Sequence, residues 1–265
     1  MAMHLAGAHV LVTGASRGIG ALVAEQAARR GATVTLVARS AEPLRELADR
    51  IGGYAAPVDL ADPAARRGLV QRVEGEVGRP VDVLVNAAGV DAVGSLLATS
   101  ERAMAELFQV NLLAPTELCR QVVPGMIARG RGQIVNVSSG FSAVAAAGVA
   151  SYCSSKAGLS HFTSALQQEL TGTGVGTPLV ELGPVRTVMM ADLFEDRLTG
   201  PAMRRLLRLH LATLVEPGDV AAQVCDAVAH GRRHVVLPRR MTPVVALTWL
   251  PRRAADLLLT GLPKR

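Results

Sequence analysis

Residues 8–31, AHVLVTGASRGIGALVAEQAARRG, decide the fold. The apolar run AHVLVT at 8–13 reads as a buried strand, because its aliphatic residues lack the polar alternation of a strand with one wet face. ALVAEQAARRG reads as a helix that stops at Gly31. Between them lies Gly14-x-x-x-Gly18-x-Gly20. A glycine turn in that position lets backbone N–H groups approach a pyrophosphate, whose charge the helix N-terminus favours. The spacing is not the commoner dinucleotide pattern, and a flexible turn before a capped helix is the plain alternative. Placement after the first strand is what favours the phosphate reading.

The chain goes on alternating strand and helix. ATVTLVA ends a second strand at Ala38 and is followed by Arg39. A carboxylate there would bind the ribose 2′-hydroxyl of NAD, whereas an arginine suits a 2′-phosphate. Arg17, inside the glycine loop, can converge on the same spot, so the two arginines point to NADP, with NADPH preferred over NADH. A helix at 41–51 leads to YAAPVDL, where Asp59 falls at the carboxyl end of a short strand and can meet an adenine amino group or simply make a turn before Pro63. The helical pattern of 62–77 leads into VDVLVNAAG, whose exit residues Asn86, Ala87, Ala88 and Gly89 would let a cofactor lie against bare backbone. From 99 to 129 the pattern is helical again, with Pro115 and Pro124 expected to bend or divide it. Asn111 falls in its middle, read as an exposed or core amide, or else as a displaced turn holding a water.

Residues 133–158, QIVNVSSGFSAVAAAGVASYCSSKAG, carry the chemistry. IVNV reads as a buried strand that delivers Ser139 at its carboxyl end, where ligands bind in open α/β sheets. If 151–170 is helical, Tyr152 and Lys156 sit one turn apart on one face. A phenol titrates near pH 10, and a neighbouring ammonium that favours phenolate is what an acid/base tyrosine needs. Next come a sixth strand, VGTPLVELGPVRT, turning at Gly183-Pro184 with Thr187 beyond, and a Met-, Leu- and Arg-rich segment read as a mobile lid or an amphipathic helix pair. A helix at 217–230 and a last strand, HVVLP, follow. The tail holds Trp249, Pro251, Arg252, Arg253 and LLLTGL, and is expected to pack on a neighbouring subunit rather than lie at a lipid interface.

Size and composition fit one α/β domain better than two: 265 residues, 49% hydrophobic and only 3% aromatic, make a core of Ala, Val and Leu. Cys119, Cys153 and Cys225 lack metal-ligand spacing, so no metal and a reduced cytoplasmic setting are expected. No secretion signal is visible, and no apolar run approaches the roughly 20 residues of a membrane span. The net charge of +6 is a C-terminal property, since residues 197–265 hold 12 Lys+Arg against 4 Asp+Glu. A solvated face explains it most simply, an anionic substrate or a peripheral membrane contact less so. Nucleic acid is disfavoured because the basic residues are not interleaved with stacking aromatics.

Taken together, TGASRGIG at 13–20, NAAG at 86–89, Asn111, Ser139 and Tyr152-x-x-x-Lys156 resemble, in order and spacing, the classical short-chain dehydrogenase/reductases over about 1–237. The resemblance implies a single Rossmann-like, doubly wound domain over 1–240 with a seven-stranded parallel sheet flanked by helices, a substrate lobe at 188–216 within it, a separate tail at 241–265, and assembly as a homodimer or homotetramer. It implies hydride transfer between NADP(H) and a carbonyl or secondary alcohol of a small molecule, and the apolar lobe edged with arginine suggests a hydrophobic ketone, lipid- or steroid-like or tethered to an anionic carrier. Tyr152 would be the general acid or base, Ser139 would steady the substrate oxygen, Lys156 would bind the nicotinamide ribose and lower the tyrosine's pKa, and Asn111 would retain a relay water. Gly14, Ser16, Arg17, Gly18, Ile19, Gly20, Arg39, Asp59, Leu60, Asn86, Ala87, Gly89, Gly183, Val185 and Thr187, with Tyr152 and Lys156, would contact the cofactor. One departure stands out: the family has Pro-Gly where this chain has Leu182-Gly183. A silent cofactor-binding regulatory or scaffolding protein is the competing reading, disfavoured by the complete set of four catalytic positions.

Overall fold

The computed structural model describes residues 2–210, 213–243 and 245–247. The run Trp249, Pro251, Arg252, Arg253 and LLLTGL lies outside them. Among the described residues there are eight strands: β1 (His9–Thr13), β2 (Thr33–Ala38), β3 (Tyr54–Pro57), β4 (Val83–Asn86), β5 (Gly132–Ser139), β6 (Val175–Gly176), β7 (Leu179–Leu182) and β8 (His234–Leu237). They form one parallel sheet in the order β3-β2-β1-β4-β5-β7-β8, with the two-residue β6 beside the start of β5. The sheet therefore has seven positions, and the expected sixth strand is broken in two at Thr177-Pro178. Proline has no N–H to give the ladder, and β5 pairs on one side of the break with Val175 and Gly176, and on the other with Leu179–Leu182.

Helices cover both faces: α1 (Gly18–Arg29), α2 (Ala41–Ile51), α3 (Leu69–Val77), α4 (Glu101–Phe108), α5 (Ala114–Ala128), α6 (Ala150–Glu169), α7 (Val188–Glu195), α8 (Thr199–Arg208) and α9 (Pro217–His230). The strands read as unbroken apolar runs because both of their faces are buried. Val10, Val12, Val83, Val85, Val135 and Val137 face one core with α1, α2 and α9. Their neighbours Leu11, Leu84 and Ile134 face the other, with α3, α5 and α6. Each fully buried Leu or Val contributes about 1.5–3 kcal/mol by leaving water.

Two expected helices differ in detail. The pattern at 62–77 becomes helix only from Leu69, because Asp62 accepts the Ala64 N–H and Gly68 takes φ of +62°. The stretch 99–129 is divided not at its prolines but at residues 109–113, one turn of π-helix in which Ala114 N–H reaches Gln109 O. Pro115 sits in the first turn of α5, where its missing N–H costs nothing, and Pro124 is accommodated inside that helix.

The carboxyl ends of the strands share one rim. There Thr13 Oγ1 accepts from Ala87 N and Ala88 N, both at 3.1 Å, tying the exit of β1 to that of β4. A Cβ on Gly20 would lie 2.3 Å from Gly14 O, so α1 can approach β1 only with glycine there. A Cβ on Gly18 meets nothing, although its φ is +61°. Gly20→Ala is therefore expected to cost about 1–3 kcal/mol through overpacking, and Gly18→Ala about 1 kcal/mol of backbone strain. Urea unfolding midpoints of the two variants check this order.

Candidate active site

The glycine turn fits a bound pyrophosphate. Arg17 is extended and Gly18 opens α1, so the helix N-terminus faces the rim without any side-chain cap. Gly14, at φ of +69°, carries no Cβ because one would lie 2.7 Å from Ala88 Cα. Ser16, Arg17 and Ile19 line the same turn, with Arg17 exposed. Arg39 follows β2 at the rim and is also exposed; its guanidinium pairs with Glu106 of α4 at 3.2 Å. Asp59 Oδ1 accepts the Ala61 N–H at 2.9 Å, which is the turn reading of that residue, and Leu60 is buried with its carbonyl bonded to Arg66. The Asn86 side chain turns into the sheet, donating to Asn136 Oδ1 at 2.8 Å, so only its backbone faces the rim alongside Ala87 and Gly89.

The catalytic candidates do converge. Ser139 ends β5, and its hydroxyl accepts the Phe141 N–H, donates to Leu182 O at 3.5 Å and lies near enough to the Tyr152 phenol to act on its ionisation. Tyr152 and Lys156 project from α6, with Lys156 Nζ 5.9 Å from the phenol ring centre and bonded to Val137 O at 3.1 Å. The Phe141 ring meets Tyr152 edge-on at 6.2 Å. A Cβ on Gly89 would lie 3.6 Å from both Lys156 Nζ and Asn111 Oδ1, which brings the β4 exit to the same place. Asn111 lies in the π turn, fully buried, as the displaced-turn reading expects. Its amide accepts from Val90 N at 2.9 Å and donates to Val90 O at 2.8 Å and Ser155 Oγ at 3.1 Å. Both amide N–H groups are thus engaged, and a water at this turn would meet its backbone rather than its side chain.

Burial dominates the ionisation of the pair. It pushes the Tyr152 phenol up to about 12, with the Ser139 hydrogen bond acting against the rise and the Asp91 charge adding to it. It pushes the Lys156 ammonium down to about 8. The phenol is therefore a neutral acid at pH 7, suited to protonating an alkoxide as it forms.

The third wall is the turn after β7. Gly183 N–H reaches Leu237 O at 2.6 Å, and a Cβ on Gly183 would lie 2.4 Å from Met241 Sδ. The glycine is fixed by the packing of β8, and Leu182, at the position where the resemblance leads one to expect proline, is buried in the core. Val185 is bridged to Val215, and Thr187 Oγ1 caps α7 by accepting from Met190 N at 3.3 Å. A cleft of about 220 Å³ opens nearby between Ala92–Thr99, Gly148–Ser151 and Leu198.

Sequence reasoning missed the group that holds these parts together. Glu181 on β7, almost fully buried, accepts from Ser142, from Ser160 at 3.0 Å and from His234 at 2.6 Å. Ser160 also lies 2.8 Å from Ser138, which donates to Lys156 O at 3.1 Å. One carboxylate thus pins both the turn after Ser139 and the helix that carries Tyr152 and Lys156. The one signal in the sequence was an acid inside an apolar strand, LVEL; its partners are 21 to 53 residues away. Among the described residues no cluster of His, Cys, Asp and Glu could hold a metal, the three cysteines are buried and free, and no helix is long and apolar enough to cross a membrane.

A doubly wound parallel sheet with a glycine turn and a Ser-Tyr-Lys set on one rim defines a Rossmann-type oxidoreductase. A family model described as short chain dehydrogenase matches residues 8–198, and the chain belongs to that family. It is 37% identical over 239 residues to the ketoacyl reductase HetN of Nostoc, covering 88% of this chain and 79% of that protein. Among solved structures it resembles a short-chain dehydrogenase from Streptomyces avermitilis, with a TM-score of 0.79, 29% identity and 97% of each chain covered. It also resembles a metagenomic short-chain oxidoreductase solved in complex with NADP, with a TM-score of 0.71, 33% identity, and 89% of this chain and 98% of that one covered.

Burial pushes the Glu181 carboxyl up, but the hydrogen bonds from His234, Ser142 and Ser160 and the charge of His234 outweigh it and hold the group below the usual range. Its contribution to stability is therefore present above the unfolded carboxyl pKa and lost as pH falls through the lower folded value. Glu181→Ala leaves His234, Ser142 and Ser160 without their acceptor and is expected to destabilise the fold by about 3–5 kcal/mol, read as a lowered denaturation midpoint at pH 7.

Proposed function

We propose that the protein is an NADP(H)-dependent carbonyl reductase for a hydrophobic ketone, running as a reductase in the cell. The observation that carries this reading is the meeting of Ser139, Tyr152 and Lys156 with Gly89 beside the glycine turn. The bound cofactor would supply hydride from nicotinamide C4 to the carbonyl carbon. Ser139 orients the carbonyl oxygen, and Tyr152 gives its proton to that oxygen as negative charge develops there. Lys156 holds the nicotinamide ribose and keeps a positive charge near the phenol, which offsets part of the cost of the phenolate left behind. Asn111 fixes the backbone at Val90 and so the β4 exit against which the cofactor lies. Gly14, Ser16, Gly18, Ile19 and Gly20 hold the pyrophosphate, Asp59 and Leu60 flank the adenine, and Gly183, Val185 and Thr187 the nicotinamide.

The apolar wall around the phenol supports a hydrophobic substrate: Val93, Phe141, Ala146 and Met190 pack with Val149, Cys153 and Leu193 around Tyr152. Residues 188–216 are the substrate lobe of a domain that includes Met241 and Val245, which pack with Leu179 and Val236, and the protein acts as a cytoplasmic homodimer or homotetramer. NADP is favoured over NAD by Arg17 and Arg39 at the rim, and a similar protein carries NADP in its crystals. The Arg39–Glu106 pair does not stand in the way. An exposed ion pair of this kind contributes under about 1 kcal/mol, less than a charge-assisted guanidinium–phosphate bond.

Three measurements test the reading. Arg39→Ala is expected to weaken NADPH binding at least tenfold while NADH binding changes little, by fluorescence titration; equal losses would refute the 2′-phosphate assignment. Tyr152→Phe is expected to keep NADPH affinity and lower ketone turnover at least a hundredfold, whereas a wild-type protein that binds NADPH tightly and reduces no ketone would favour a regulatory role. Because Lys156 is lowered to about 8, it is charged below that pH and loses its charge above it. The reduction rate should be flat up to neutrality and fall as pH rises through that value, while the reverse oxidation, which needs phenolate, should rise with pH.

A further inference from the structure

Asp91 is a titratable group beside the candidate site that the chemistry above does not use. It follows the stretch whose backbone Asn111 clamps at both the N–H and the C=O of Val90, so its position is fixed. Its carboxylate bonds its own backbone N–H, but Oδ2 is shut off from solvent and meets no donor. Its charge reaches the Tyr152 phenol on one side and Asp192 of α7 on the other. Two residues further along the chain, Val93 joins Phe141, Ala146, Met190 and Tyr152 in one apolar cluster.

A carboxylate oxygen removed from water without a donor is costly, and buried polar atoms of this kind have a partner in nearly every native structure. Here Oδ2 lies within electrostatic reach of the proton-transferring phenol, in the region where a substrate would sit. An ionised carboxylate can only accept, so the missing partner is a donor. Asp192 makes the region more negative, which adds to the preference and favours a cationic donor most. Burial, and then Asp192, raise the Asp91 carboxyl, a strain that a donor would relieve.

We propose that Asp91 determines substrate specificity: its Oδ2 accepts a hydrogen bond from a hydroxyl or protonated amine that the ketone carries near its carbonyl. The preferred substrate is then a hydrophobic hydroxyketone or aminoketone rather than a plain ketone. This rests on the carbonyl-reductase reading above. Hydrogen bonds to a charged group are worth about a tenfold to hundredfold preference.

The test uses the full chain, NADPH and matched ketones that differ only in a hydroxyl, an amino group or hydrogen on the carbon next to the carbonyl. The readout is the ratio of kcat/KM between donor-bearing and plain ketone, because removing the Asp91 charge also changes the Tyr152 phenol, and the ratio cancels that common effect. The wild type should prefer the donor-bearing ketones about tenfold to a hundredfold. Asp91→Ala should bring both ratios near one, and Asp91→Asn, which keeps an acceptor but no charge, should lose the amine preference and retain part of the hydroxyl preference. NADPH affinity reports that each variant is folded. A wild type without preference, or a preference that survives Asp91→Ala, overturns the proposal.

A second readout is independent of turnover: binding of the matching amino alcohol and diol to the NADPH complex, followed by quenching of NADPH fluorescence. Binding that weakens at least tenfold in Asp91→Ala, in a protein that reduces no ketone, would sink the reductase reading and leave the Asp91 subsite standing. Ketone reduction with Asp91-independent binding would do the reverse.

Discussion

The pairing of β1 with β4 is the constraint from which the rest follows. From β1 the chain winds outward to β2 and β3, then returns across the sheet to lay β4 on the other side of β1. At such a seam the connections leave in opposite directions and a crevice opens beyond the strand ends. The Thr13 hydroxyl closes the seam from below by holding Ala87 N–H and Ala88 N–H, and the absence of side chains at Gly14 and Gly20 keeps the space above it open. The loops that leave the carboxyl ends of β4, β5 and β7 then start at that crevice. Parallel pairing makes this one rim, so Gly89, Ser139 and Gly183, far apart in the chain, lie along it in the strand order β4-β5-β7.

A seam positions strand ends only to within the freedom of the loops that follow them, and hydride transfer needs tighter control than that. Glu181 provides it. A carboxylate placed one strand over from Ser138 is in register to meet the turn after Ser139 and the facing side of α6. Three donors compensate its desolvation, which is why a charge can sit in a strand otherwise made of Leu and Val. With fewer donors the same residue would be among the most destabilising in the sheet.

The layers and the rim were legible in the sequence because they depend on local pattern. Unbroken aliphatic runs mark strands buried on both faces, the glycine turn marks the first crossover, and Tyr152 and Lys156 fall on one helix face from their spacing alone. What stayed hidden depends on distant partners. The split at Pro178 is visible only against the two halves of β5, and the π turn is set by the Gln109–Ala114 bond rather than by Pro115 or Pro124. Asn111 read locally as a mildly unfavourable helix residue, and only the β4 exit explains it. His234 and Ser160 carried no local signal toward Glu181. Arg39 was legible as a rim arginine, but its resting partner on α4 was not.

The electrostatics of the site follow from the same burial that makes the sheet stable. Desolvation acts on Tyr152 and Lys156 in opposite directions, raising one to about 12 and lowering the other to about 8, so both are pushed toward their neutral forms. Asp91 adds to the first effect. In an apolar crevice this polarity gives a protonated phenol beside a lysine that keeps its charge at pH 7 with little margin. That arrangement favours giving a proton to an oxygen over taking one from it. Filling the crevice with a bound ribose and substrate would replace lost water by fixed hydroxyls around Lys156 Nζ, which has so far spent one donor on Val137 O. The ammonium would gain acceptors while the phenol gained a charged neighbour held in place, and the two shifts would relax together.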